Sequence, residues 1–245
     1  MPISPEATVD RLLSDNPKLH ILSESHAALV RSFGVHHLQP GLVTYAVPPD
    51  LIRYFLRTVK PSDYTIETGG GHTTVALAAL AKHHVCVTND ESNVELTKKY
   101  MADLGIPADK ITFMEESSDT ALPKLTGAFD FAFIDGNHGY PFPALDWHYI
   151  DRRLKIGGII GFDNTEIRAV HEHCMVLEEN QTYVLVDRFE IPIARRYGCS
   201  FYRKVRDDER ETFKQPYNLK RAKRLTLYER LRDLRRRRPK VWPWD

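Results

Sequence analysis

The ten residues Thr65–Thr74, T-I-E-T-G-G-G-H-T-T, constrain the fold more than any other stretch, because an extended run passes through three glycines directly into a helix. Tyr64, Ile66 and the chain before them read as a strand, and Val75–Ala81 (VALAALA) is a strong helix former whose apolar positions would pack on a sheet. Gly69, Gly70 and Gly71 let the backbone turn tightly and come close to a ligand at the positive end of that helix, although a tight turn with no ligand uses the same residues. Glu67 places a carboxylate two residues before the first glycine, where a pyrophosphate would be repelled. Thr74 stands where the dinucleotide fingerprint G-x-G-x-x-G requires its third glycine. Both features disfavour a phosphate ligand and leave a nicotinamide-dependent oxidoreductase as a weaker alternative.

With 245 residues, 42% of them apolar, the chain can bury one substantial α/β core plus appendages. Three segments are expected: helices and loops over residues 1–60, an α/β domain over 61–206, and a basic tail over 207–245. In the first, Ser4-Pro5-Glu6 starts a helix, Ser23–Phe33 is a second helical run stopped by Gly34, and Pro48-Pro49-Asp50 opens a third through Val59. From Asp63 strands alternate with helices, which predicts a parallel sheet covered on both faces. After the first strand, strands are expected over 85–89, 111–115, 129–134, 158–162, 183–187 and 199–205. Helices are expected over 72–81, 92–104, 119–125, 143–154 and 165–177. The link between the last two strands is too short for a crossover helix, so they should pair antiparallel.

Two further stretches end strands in polar groups. Phe129–Tyr140 reads F-D-F-A-F-I-D-G-N-H-G-Y, an apolar strand ending at Asp135 followed by Gly136, Asn137, His138 and Gly139. The next strand, I-G-G-I-I-G-F-D-N, ends at Asp163-Asn164. Neighbouring strands thus bring two carboxylates, an imidazole and an amide to the carboxyl edge of the sheet, where open α/β sheets bind ligands.

The pattern E-x-G-x-G-x-T at Glu67–Thr73 resembles the first motif of class I S-adenosylmethionine-dependent methyltransferases. I-D-G-N-H followed by L-K-I-G-G-I-I-G-F-D-N is similar to their small-molecule O-methyltransferase branch, the catechol and caffeoyl-coenzyme A type. The resemblance covers roughly residues 48–205. It implies a Rossmann-like α/β fold: a seven-stranded, mostly parallel sheet with one antiparallel strand, helices on both faces, a helical N-terminal cap and a basic C-terminal helix. It also implies S-adenosyl-L-methionine as cofactor, bound by Glu67, Gly69, Gly70, Gly71, Thr73 and Asp135. In those enzymes a divalent cation such as Mg²⁺ is held at positions matching Asp135, Asp163 and Asn164, whose hard oxygen donors suit it. The alternative for the two aspartates is loop capping or contact with the cofactor amine and water.

The same enzymes place a lysine as general base three residues after the first metal aspartate, and this chain has His138 there. A neutral imidazole, with an ordinary pKa of about 6.5, can accept a hydroxyl proton near neutral pH, so His138 with Asp135 forms the expected catalytic pair. A loop histidine bonded to backbone is the other reading. For the ribose hydroxyls the resemblance points to the end of the second strand, at Asp90 with Asn89 or Glu91 as substitutes. Glu116, Ser117 and Ser118 resemble the adenine-edge loop; Ser117 and Ser118 are the expected contacts, and Ser118 is equally suited to cap a helix.

His171 and His173 alternate along a helix, and His36-His37 and His83-His84 are adjacent pairs; all read as solvated surface residues. Cys86, Cys174 and Cys199 have no metal-ligand spacing and read as buried or half-buried thiols. The absence of a long uncharged apolar run and of a basic-then-apolar start predicts a cytoplasmic protein.

Arg203–Lys240 holds 16 Lys and Arg against 6 Asp and Glu, which leaves 18 against 27 elsewhere. Leu225, Leu227, Tyr228, Leu231 and Leu234 would form an apolar stripe on a basic helix. Docking on the acidic body or on a second subunit of a homo-oligomer is favoured, an anionic membrane surface comes second, and nucleic acid third. The expected activity is methyl transfer to a hydroxyl of a small molecule, a sugar, phenolic or polyketide-like acceptor. A binding or assembly module that keeps the fold without catalysis is the alternative.

Overall fold

The computed structural model describes residues 4–15, 47, 49–180, 182–191 and 197–207. The expected helix over Ser23–Phe33, the His36-His37 pair and the tail stripe from Leu225 to Leu234 lie outside the described residues. Seven strands form in chain order: β1 (Tyr64–Thr68), β2 (His83–Val87), β3 (Ile111–Met114), β4 (Phe129–Ile134), β5 (Leu154–Phe162), β6 (Tyr183–Ile191) and β7 (Tyr197–Lys204). They make one sheet in the order β3-β2-β1-β4-β5-β7-β6. β7 pairs antiparallel with both β5 and β6, and every other pairing is parallel, so one strand of the seven is reversed. The chain reverses its winding between β1 and β4, the switch point at which open α/β sheets hold ligands beyond the carboxyl ends of their strands.

The helices are α1 (Pro5–Asp15), α2 (Pro49–Thr58), α3 (His72–Leu80), α4 (Glu91–Asp103), α5 (Ser118–Ala121), α6 (Phe142–Asp151) and α7 (Arg168–Asn180). Period-two alternation in β4 divides the core. Phe131 and Phe133 face a cluster built with Val9 and Leu12 of α1, Leu51 and Phe55 of α2, and Leu77 of α3. Ala132 and Ile134 face the opposite cluster with Ile150 of α6 and Val170, Cys174 and Leu177 of α7. On the first face Phe133 stacks on Phe201 of β7 with centroids 6.0 Å apart, and Phe55 meets Phe133 edge-on at 5.2 Å.

Several elements depart from their expected limits for local reasons. β5 starts four residues before Gly158, because Gly157 at φ 87° and a register shift opposite Phe129–Phe131 bend the strand instead of ending it. Pro123 has no N–H to continue a helix, so the expected 119–125 helix is a single α turn followed by a 3₁₀ turn over Leu122–Lys124. α7 begins at Arg168 rather than 165, since Asn164 takes φ 52° and turns the chain first.

At the far end of β7, the buried Lys204 ammonium donates to the carbonyls of Asp151 (2.7 Å) and Leu154 (3.1 Å) and pairs with the Asp151 carboxylate at 3.3 Å. Tyr183 donates its hydroxyl to the same carboxylate. This buried charge is fully partnered, as its location requires, and it fixes β7 to the end of α6. Among the described residues no helix is long and apolar enough to cross a membrane.

Candidate functional site at the carboxyl edge of the sheet

The glycine turn is held from beneath. Gly69 adopts φ 86°, and a Cβ there would collide with the Asp135 carbonyl oxygen, so this glycine lets the β1 and β4 ends approach each other. Its N–H donates to the Val87 carbonyl (2.9 Å) and its carbonyl accepts from the Cys86 thiol (3.2 Å). Asn93, itself braced by the Thr97 hydroxyl, donates its amide to the Gly70 carbonyl at 2.9 Å. Gly71 differs from both: a Cβ there would meet no atom within 4 Å, so its open side is where a ligand can come close. The Gly71 N–H already donates to the Thr74 hydroxyl at 2.8 Å, which removes one donor that a phosphate would use. Thr73 is buried in the first turn of α3.

Glu67 is fully buried below this turn. Its Oε1 lies 3.2 Å from His84 Nε2, and its Oε2 has no hydrogen-bond partner among the described residues. The surface reading of His83-His84 is therefore corrected: His84 is at 0% exposure, and His83 is half-buried with contacts to the Asp109 carbonyl (3.0 Å) and the Thr112 hydroxyl (2.9 Å). Parallel register, invisible in one sequence, turns His84 into the layer beneath α3. His173 is corrected likewise. It packs against Trp147 and Phe162, and burial lowers its pKa to about 4, while His171 on the other side of α7 is exposed. Asp90 caps α4, its Oδ1 accepting from Asn93 N–H (3.1 Å) and from the Ser92 hydroxyl (2.6 Å), a structural task at the position expected to meet a ribose.

The pairing of β4 with β1 and of β5 with β4 runs on past the strand ends, with Asp135 N–H donating to the Thr68 carbonyl and Asp163 N–H to the Ile134 carbonyl, both at 3.0 Å. This brings Asp135, His138 and Asp163 together, with one ligand atom from each lying within 4.8 Å of the others. His138 Nε2 is 3.5 Å from Asp135 Oδ1. Burial raises the Asp135 pKa to about 8, against a lowering hydrogen bond from Asp163 and with a further rise from Glu67. Burial also lowers the His138 pKa, while Asp163, Glu166 and Asp146 act in the opposite direction. Asn164 follows Asp163 and donates its Nδ2 to Glu166 at 3.0 Å, so its Oδ1 is the atom suited to a cation. Asp135 and Asp163 offer two converging carboxylates, hard oxygen donors of the kind a divalent ion takes.

Sequence reasoning passed over Asp146. It is fully buried on α6, neither carboxylate oxygen has a hydrogen bond of normal geometry, and its pKa is raised to about 6. Desolvation is the main cause; the Ser118 and Thr68 hydroxyls pull it back down, Asp119 raises it and His138 lowers it. Ser117 occupies the N-cap position of α5 without a side-chain cap bond, so Ser118 is left facing Asp146. A signal was present: Pro143, Asp146 and Ile150 are the helically spaced buried residues of α6, and an aspartate on such a stripe is unusual. The folded-state pKa exceeds the unfolded one, so this group should reduce stability as pH rises from about 4 to about 6. Asp146→Asn should then stabilise the ligand-free protein by ~1–3 kcal/mol at pH 7.5 and make no difference near pH 3, as read by urea unfolding at both pH values.

The strand order, the single reversed strand and the helices on both faces define a Rossmann-like methyltransferase fold. Residues 66–165 match a protein family described as "Methyltransferase domain". No curated protein sequence matches the chain. Among solved structures, it is similar to a putative O-methyltransferase from Klebsiella pneumoniae, at 16% identity and TM-score 0.60 over 81% of this chain and 90% of that one. The O-methyltransferase TomG of Streptomyces achromogenes, involved in tomaymycin synthesis and solved with SAM, aligns at 19% identity and TM-score 0.55 over 72% and 86% of the two chains. An rRNA methylase from Streptococcus thermophilus aligns at 17% identity and TM-score 0.55 over 67% of this chain and all of that one.

Proposed function

We propose that this protein is an S-adenosylmethionine-dependent methyltransferase acting on a hydroxyl of a small molecule, a sugar, phenolic or polyketide-like acceptor. The observation that carries the reading is the pairing of buried Glu67, one oxygen of which has no hydrogen bond of normal geometry among the described residues, with a glycine turn whose Gly71 N–H is already committed to Thr74. That combination suits a cationic, phosphate-free ligand. The family match over residues 66–165 supports the same chemistry, and the neighbours described as O-methyltransferases support the hydroxyl acceptor.

S-adenosylmethionine supplies a methyl group on a positively charged sulfur. Glu67 would accept a hydrogen bond from its ammonium, and Ser118 with Asp146 would face its adenine. Asp135, Asp163 and Asn164 would hold a divalent cation such as Mg²⁺, which acidifies a bound hydroxyl. His138 would take the acceptor's hydroxyl proton, freeing that oxygen to receive the methyl group. Burial favours the neutral imidazole, the form that can receive that proton.

The test compares S-adenosylmethionine, S-adenosylhomocysteine and NAD⁺ by calorimetry and thermal shift. The two sulfur ligands should bind and raise Tm by mass action, and NAD⁺ should not. Turnover of a hydroxylated acceptor should stop in EDTA and return with Mg²⁺, with Asp163→Ala needing more Mg²⁺. Binding of NAD⁺ alone would replace the reading with an oxidoreductase. Binding of S-adenosylhomocysteine without transfer to any acceptor panel would leave a non-catalytic module.

A further inference from the structure

Thr65, Glu67 and His84 form a closed polar chain in the sheet beneath α3, and all three are at 0% exposure. The β1–β2 register sets Thr65 opposite His84, and Glu67 follows two residues later on the same face. Thr65 Oγ1 lies 2.9 Å from His84 Nδ1, and His84 Nε2 lies 3.2 Å from Glu67 Oε1. In the tautomer with the proton on Nε2, His84 donates to Glu67 Oε1 and its Nδ1 accepts from the Thr65 hydroxyl. The Thr65 hydroxyl then sets the plane of the ring. Glu67 is held through Oε1 and interacts with the Cys86 thiol, while Oε2 has no hydrogen bond of normal geometry among the described residues.

We propose that His84 is a positioning residue for the cofactor site: held by Thr65, it fixes the Glu67 carboxylate so that Oε2 is presented to the α-ammonium of the aminoacyl end of the cofactor. This rests on the reading of the glycine turn as an S-adenosylmethionine site. A buried carboxylate that could rotate would have to be ordered on each binding event; one already fixed needs no such ordering. The relay therefore acts on one chemical group of the ligand and not on its adenosine.

The experiment measures dissociation constants for S-adenosylhomocysteine and for its analogue lacking only the α-amino group, in wild type, His84→Asn and His84→Gln. Asparagine keeps a polar atom near Thr65 and cannot reach Glu67, whereas the glutamine amide extends to about the place of Nε2. His84→Asn should weaken S-adenosylhomocysteine about 10- to 100-fold and leave the deaminated analogue within about twofold. His84→Gln should recover most of the loss. Equal weakening of both ligands, or none, in a folded His84→Asn protein would overturn the relay. If neither His84 variant folds, Thr65→Val decides. A loss of about threefold or more for S-adenosylhomocysteine alone supports the proposal, and unchanged affinity rejects it. A wild-type protein that binds neither ligand would remove the cofactor reading itself and the relay with it.

Discussion

His138→Ala is expected to lower turnover by about 10²- to 10⁴-fold while leaving cofactor affinity nearly intact, the range usual for a lost general base. The expectation follows from position first. His138 lies three residues beyond Asp135 on the loop after β4, its Nε2 is 3.5 Å from Asp135 Oδ1, and that nitrogen has no hydrogen bond of normal geometry. Burial disfavours the imidazolium, so the acid limb of kcat/KM should fall below the ordinary imidazole value. His138→Lys should restore part of the rate, the longer chain and different hydration of the ammonium limiting how much. Wild-type turnover in His138→Ala, under conditions where chemistry limits the rate, would leave His138 as a structural loop residue.

Gly71→Val should weaken S-adenosylhomocysteine by at least about 100-fold, with some loss of stability because φ 158° disfavours a side chain. A Cβ at Gly71 meets no atom within 4 Å, so the side chain has room and would occupy the face open to the cofactor, while φ 158° strains the backbone of any residue with a side chain there. Gly70→Ala is the control. Its Cβ would make ordinary contacts at 3.4–3.5 Å with Asn93, Cys86 and Thr88, on the side away from the open face. Affinity within about threefold of wild type is expected there. Undiminished affinity in a folded Gly71→Val protein would move the cofactor elsewhere.

Features that depend on one segment were legible in the sequence. The β1–glycine–α3 turn, the limits of β4 at Phe129–Ile134 and the polar ends at Asp135 and Asp163 follow from local pattern and glycine placement. Features that depend on how two segments meet were not. His84 is an adjacent-pair histidine until β2 is aligned on β1, when it becomes the partner of Glu67. The strand expected over 158–162 begins at Leu154 once β4 pairs with β5 across the bend at Gly157.

The place of β7 has a consequence for biosynthesis. Its strand lies between β5 and β6, and among the described residues β6 has no other strand beside it. A chain emerging from the ribosome can assemble β1 to β5, with every residue assigned to the candidate site, before β7 exists. Until residue 204 has been synthesised, β5 keeps an open edge and β6 waits without a neighbour, the state in which nascent sheets recruit other chains. Newly made protein should therefore depend on shielding during that interval, and products ending between Ile191 and Lys204 should aggregate although they contain the whole site.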